Sequence, residues 1–180
     1  KLTRYLLRAT RDGKYGDSME RVMLNTVMGA LPLQADGRSF YYSDYSYAAK
    51  RTYSDHRWPC CSGPLPQVVA DYGINGYFRD ASAVWVNLYQ PSELRWSVGS
   101  SAISLEQTGT YLEDGSVQFR IAASHPTPFA LHLRVPAWAT GNIHLAINTQ
   151  PQPVAARKGF TTIERTWQTG DVVELSLPMS

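Results

Sequence analysis

Cysteine is nearly absent from this chain: two in 180 residues, side by side at Cys60-Cys61. Two thiols cannot build the network of bridges that staples small secreted domains, so an apolar core must hold the fold. No apolar run approaches the ~20 residues of a membrane-spanning helix, and a membrane location is not expected. The start, Lys1-Leu2-Thr3-Arg4, is neither a secretory leader nor an initiator Met, which makes Lys1 the expected internal boundary of something longer. Charge is sparse and balanced, 17 Lys+Arg against 15 Asp+Glu, and the pI is near 8.6. With no basic cluster interleaved with aromatics, nucleic acid is not an expected partner. Chemistry-bearing motifs are scarce as well. There is no Gly-rich phosphate loop, no C-x-x-C and no G-x-S-x-G elbow around Ser62. The carboxylates Asp36, Asp44, Asp55, Asp71 and Asp80 are scattered, and none are paired by spacing for acid and base work.

What the chain has is apolar surface: 43% hydrophobic and 12% aromatic residues, enough for a core and too much for disorder. Its charge is uneven. Residues 1–57 hold ten Lys/Arg against six Asp/Glu, and residues 58–180 hold seven against nine. The hydrophobic period changes near residue 80. Before it, Leu2, Tyr5, Leu6 and Ala9 recur at helical spacing, with Arg4, Arg8 and Arg11 on a polar face. Met19, Met23, Val27 and Ala30 mark a second helix, capped by Asp17 or Ser18 after a break at Asp12-Gly13 and ended by Pro32. Asp36-Gly37-Arg38 reads as a tight turn into the extended Phe40-Tyr41-Tyr42, and residues 66–72 as a short helix with Pro64 or Pro66 in its first turn.

From residue 81 onward the period is two. Val84 and Val86, Ile103 and Leu105, Val117 to Ile121, Leu131 to Val135, Ile143 to Ile147, and Val173 to Leu177 alternate with polar residues. Turn signals at Glu113-Asp114-Gly115, Thr140-Gly141-Asn142, Lys158-Gly159 and Thr169-Gly170-Asp171 separate them, the pattern of an antiparallel β-sandwich. The expected organisation is a helical piece over residues 1–80 and a β-sandwich over 81–180. The helical piece is incomplete, because amphipathic helices must bury their stripes against another layer.

Adjacent cysteines have few uses. They can close a strained vicinal disulfide, pack as two inert small hydrophobes, or bind one borderline-soft ion such as zinc. The third use needs further ligands. His56 stands four positions before Cys60, in a loop where Trp58-Pro59-Cys60-Cys61-Ser62-Gly63 is punctuated by Pro and Gly. His125, His132 and His144 fall in the strand region as structural or surface residues. Trp85, Trp96, Trp138 and Trp167 read as core or sheet aromatics, with a sugar platform as the sharper alternative.

The order of several segments resembles glycoside hydrolase family 127, the β-L-arabinofuranosidases and their relatives. Lys14-Tyr15-Gly16-Asp17, Glu20-Arg21-Val22 and Leu24-Asn25 are similar to one of that family's helices, and Asp36 to Tyr42 to its hairpin. Cys60-Cys61 resembles its paired cysteines, and Val84-Trp85-Val86-Asn87-Leu88-Tyr89 its first sandwich strand. Leu133 to Ala139, Arg165-Thr166-Trp167 and Gly170 to Val173 follow in the family's order. The resemblance implies an (α/α)6 barrel, of which residues 1–80 are the last part, followed by a β-sandwich.

It also implies a zinc held by a Glu and three cysteines, and a cysteine nucleophile acting through a thioglycosyl intermediate. Cys60 takes the place of the nucleophile and zinc ligand, Cys61 that of a zinc ligand, with Tyr42 and His56 as substrate contacts. Carbohydrate is the implied substrate. The Glu-x-Cys ligands, the acid/base Glu and the rest of the barrel would precede Lys1, so this chain alone is expected to be inactive. Trp58 stands where the family's first Cys of Cys-x-Cys-Cys stands, and Ser62-Gly63-Pro64 replaces Pro-Pro-Asn. Two other classes remain open. The sandwich can be a non-catalytic interaction or carbohydrate-binding module with structural cysteines, or the thiols can serve redox chemistry. The compartment, cytoplasmic or periplasmic/secreted, is equally open.

Overall fold

The computed structural model describes residues 2–30, 34–36, 38, 40–42, 47–53 and 64–179. In chain order, helices α1 (Leu2–Thr10) and α2 (Lys14–Arg21) lead into a π-type stretch, Val22–Val27, and a 3-10 turn, Met28–Ala30. A short pair, β1 (Phe40–Tyr42) and β2 (Thr52–Tyr53), precedes helix α3 (Pro64–Ile74). The strands β3 (Tyr77–Arg79), β4 (Ala83–Val86), β5 (Ser92–Val98) and β6 (Ser101–Gly109) follow, then the one-turn helix α4 (Tyr111–Asp114). The chain finishes with β7 (Ser116–Ala123), β8 (Thr127–Arg134), β9 (His144–Ile147), β10 (Gln150–Gln152), β11 (Phe160–Trp167) and β12 (Val172–Ser176). None of the described helices is long and apolar enough to cross a membrane.

Two compact units emerge, Lys1–Asp17 with Asn75–Ser180, and Ser18–Ile74. The first holds a six-stranded sheet, β10-β9-β12-β7-β6-β5, and a four-stranded sheet, β11-β8-β4-β3. Alternation decides what each strand buries. Ile103 and Leu105 of β6, Val117, Phe119 and Ile121 of β7, and Val173 and Leu175 of β12 point one way; Val84 and Val86 of β4, Leu131 and Leu133 of β8, and Ile163 of β11 point to meet them. Aromatic rings bridge the two sets. Phe129 of β8 meets Trp96 of β5 edge-on at 5.3 Å and lies against Trp167 of β11 at 5.5 Å. The indole N–H of Trp167 donates to the Phe129 carbonyl at 3.0 Å, so its burial leaves no polar atom unsatisfied. Each large apolar side chain enclosed this way contributes about 1.5–3 kcal/mol relative to exposure.

The pairing is not wholly antiparallel. β4 runs parallel to β8, with Val84 opposite Leu131 and Trp85 opposite His132. The connection between them passes through β5, β6 and β7 of the other sheet, and a crossover of that kind returns the chain in its original direction. The strands β3, β5, β10 and β11 were not expected from the sequence, and Glu113-Asp114-Gly115 closes the short helix α4 rather than a simple turn.

The outward face of the four-stranded sheet carries the turn between α1 and α2. Gly13 and Gly159 touch backbone to backbone: a Cβ on Gly13 would sit 3.0 Å from the Gly159 Cα, and the Gly13 N–H donates to the Lys158 carbonyl at 2.6 Å. A Cβ on Gly16 would collide with the Asn87 side chain and come within 2.6 Å of Arg134 Cδ, so only glycine fits there. The next residue, Asp17, does not cap α2. Its carboxylate accepts from Arg134 Nη1 at 2.6 Å and from the Ala137 N–H at 3.3 Å. The role expected of Asp17 belongs to Asp12, whose Oδ1 accepts the Lys14 N–H at 3.1 Å. The stripe expected on α1 is also misplaced. Leu2 and Tyr5 are 70% and 58% exposed, and Leu7, at 3%, is the residue α1 buries. In a helix this rich in leucine, spacing alone does not select the inward side. Arg11 lies beyond the helix, in left-handed backbone, rather than on its polar face.

In the second unit, Met23 and Val27 are buried as the helical spacing required, together with Met19 and the carboxylate-bearing Glu20 of α2. α3 packs against the π-type stretch. It begins at Pro64, with Pro66 also in its first turn, where proline's missing N–H costs nothing.

Candidate functional site

The residues read as catalytic fall in one stretch of the smaller unit. β1 and β2 pair antiparallel, Phe40 opposite Tyr53 and Tyr42 opposite Thr52, with an irregular register between. This puts Tyr42 at the last position of β1. The turn before it is built as expected, with the Gln34 N–H donating to the Arg38 carbonyl at 3.0 Å. In sequence, Cys60 and Cys61 stand between Tyr53, the end of β2, and Pro64, the start of α3. His56, Cys60 and Cys61 lie outside the described residues.

Two of the described carboxylates weighed as acids or bases, Asp36 and Asp80, serve the backbone instead. Asp36 accepts the Arg38 N–H at 3.1 Å and its Nε at 2.6 Å, and the backbone bond above all holds its carboxyl below the ordinary 3.8. Asp80 accepts the Ser82 and Ala83 N–H groups at 2.9 and 3.0 Å and pairs with Arg11 at 2.8 Å. Its carboxyl is likewise held down, first by the Ser82 backbone bond. Groups ionised this firmly cannot deliver a proton near neutral pH, so neither is built as a general acid. Asp44 and Asp55 lie outside the described residues.

The three histidines of the strand region sit in different surroundings. His125 is held beside Ser124, 3.2 Å from Nδ1 to Oγ, and His144 is exposed in β9. His132 stacks on Trp85, with ring centroids 4.4 Å apart and planes 9° from parallel. No group of three His, Cys, Asp or Glu residues able to hold a metal occurs among the described residues. As a donor set, the cysteine pair suits zinc in kind, since thiolates are soft ligands, and falls short in number, since four ligands are usual.

Sequence reasoning missed two polar features. Glu20 is buried on the same side of its helix as Met19 and Met23, and a charged residue in phase with an apolar stripe was the available signal. Arg134 is wholly enclosed, with Nε donating to the Asn87 carbonyl and Nη1 to Asp17. An arginine continuing the outward phase of β8 gave no hint of that burial.

Comparison with known proteins gives the frame. The model of the β-L-arabinofuranosidase GH127 catalytic domain matches residues 1–73, and that of the GH127 middle domain matches residues 83–179. A non-reducing end β-L-arabinofuranosidase from Bifidobacterium longum subsp. longum is 23% identical over 187 positions, which takes in 93% of this chain and 27% of that protein. Among solved structures, a GH127 β-L-arabinofuranosidase from Geobacillus stearothermophilus T6 superimposes with a TM-score of 0.86 at 29% identity, covering 99% of this chain and 30% of the other. A second GH127 β-arabinofuranosidase gives 0.83 at 25% identity, again over 30% of its length. The chain thus spans under a third of the length of these relatives. With both of its parts matched in order, the chain belongs to glycoside hydrolase family 127.

Proposed function

We propose that this chain is one part of a retaining glycosidase, in which Cys60 is the nucleophile and β-L-arabinofuranosides are the first substrates to test. In this reading residues 1–80 are the end of an (α/α)6 barrel and residues 81–180 a β-sandwich that follows it in sequence. The observation that supports it is positional. The only two cysteines are adjacent, and they fall inside the stretch that matches the family's catalytic domain.

The thiolate of Cys60 attacks the anomeric carbon, forming a C–S bond as the glycosidic C–O bond breaks. An acid from outside this stretch protonates the departing oxygen. The same group, now a base, takes a proton from water as the water displaces the cysteine sulfur. Cys60 and Cys61 would be zinc ligands, together with residues beyond this chain. When bound, the zinc supplies positive charge that keeps a thiol deprotonated near neutral pH. Tyr42, at the end of β1, and His56 would contact the sugar. With the remaining ligands and the acid outside it, this chain alone is expected to show no turnover.

The test is Cys60→Ser in the full-length protein with an aryl β-L-arabinofuranoside. A loss in kcat of about 10³-fold or more, with the fold intact, is expected. Retained turnover would exclude Cys60 as nucleophile.

A further inference from the structure

The α1–α2 turn covers only one end of the outward face of the four-stranded sheet. Beyond it lies a groove of about 820 Å3. Its floor is a row across the strands: Trp85 of β4, His132 of β8 and Thr162 of β11, with His132 Nδ1 2.8 Å from Thr162 Oγ1. Glu164 stands two residues further along β11. Arg11 and Asp80 line the β4 side, and Arg157 and Lys158 the β11 side.

Two backbone choices mark the groove. Arg11 (φ 54°) and Lys158 (φ 50°) are both left-handed, a conformation that costs a side chain about 1–2 kcal/mol. Arg11 ends α1, and Lys158 is the first central residue of a two-residue hairpin turn with Gly159 (φ 77°). Glycine or asparagine is the ordinary occupant of both positions. Here each holds a long cation. Arg11 has an evident reason, since its guanidinium lies 4.5 Å from the Trp85 ring centre and pairs with Asp80 at 2.8 Å. Lys158 and its neighbour Arg157 have no such partner: among the described residues neither side chain makes a hydrogen bond or close ion pair. The one described carboxyl that the Lys158 charge helps hold ionised, Asp12, is paired closely with Lys14 at 3.1 Å.

We propose that this groove binds a carboxylate-bearing saccharide, a uronic acid unit, with Arg157 and Lys158 on the carboxylate and Glu164, His132 and Thr162 on the hydroxyls. The chemistry follows from the residues. With Arg11 and Asp80 neutralising each other, Arg157 and Lys158 outnumber Glu164, so the open groove carries net positive charge. A guanidinium matches a carboxylate with two parallel hydrogen bonds. Glu164 is acceptor-only when ionised, which suits a sugar hydroxyl. Trp85 has its face covered by Arg11, so recognition is polar rather than by stacking. The volume lies within the ~300–1,000 Å3 of small-ligand sites. The saccharide part of this assignment rests on the reading of the protein as one that handles glycans.

The probe is digalacturonate, titrated into the full-length protein by calorimetry beside neutral galactobiose and inorganic phosphate. Saturable one-site binding of digalacturonate alone is expected, weakened about tenfold or more by Arg157→Gln and by Lys158→Asn. Lys158→Asn should at the same time raise the unfolding midpoint, because asparagine favours the left-handed turn. Loss of binding with a gain in stability is not what a merely structural lysine would give. No binding of digalacturonate, equal binding of galactobiose, or binding indifferent to both substitutions would overturn the proposal. Phosphate binding as tight as digalacturonate would overturn its saccharide part. Cys60→Ser should leave this binding unchanged, so failure here and failure of the nucleophile assignment are told apart.

Discussion

Burial disfavours the charged form of the His132 imidazole. The ring lies flat on Trp85, half-enclosed, and desolvation, helped by the Arg11 charge, holds its pKa below the ordinary 6.5 against the opposing pull of Asp80 and Glu164. With the native value lowered, the unfolded chain takes the proton first as pH falls. The stability tied to the neutral ring is therefore complete above about 6.5, erodes below it, and is gone once pH passes the native pKa. In urea denaturation, the wild-type midpoint should fall further between pH ~7.5 and ~5.5 than that of His132→Gln, which removes the titration. Identical pH dependence in the two would contradict this. The outward phase of His132 was legible from strand alternation. Its stacking partner was not, since only the parallel pairing of β4 with β8 brings Trp85 beside it.

Helix placement rests on the contacts between the α1–α2 turn and the sheet. Arg134 is 0% exposed and its partner Asp17 21%, so the charge of the arginine cannot be rehydrated easily. Removing one partner of a fully buried pair costs ~3–5 kcal/mol, and with Asp17 partly solvated Asp17→Asn should cost about 2–3 kcal/mol in chemical denaturation. Adding Arg134→Met should recover part of that loss, because no uncompensated charge remains; a purely additive double mutant would contradict the pair's role. The strands with strict alternation, β6, β7, β8 and β12, were readable, as was the proline-started α3. The short β3 and β10 offered too few alternating residues. Asp17 looked like a cap because caps are local, and the salt bridge that claims it spans 117 positions in sequence.

At the scale of the whole molecule, the family emerged from motif order rather than from any one motif, and matches to residues 1–73 and 83–179 carry the same order. Fold physics accounts for the two sheets and their common core. It does not produce the proposed chemistry, which would rest on the adjacency of Cys60 and Cys61 and on ligands outside this chain; the solved relatives are more than three times its length. The sugar was not legible in the sequence, because Trp58 and Ser62-Gly63-Pro64 change the immediate neighbours of the pair. The most direct test of the nucleophile is peptide mapping of the full-length protein, acid-quenched during turnover of a slowly released β-L-arabinofuranosyl substrate. A pentosyl adduct on the peptide carrying Cys60, absent from Cys60→Ser, is the expected result; an adduct on an Asp or Glu side chain would contradict the account.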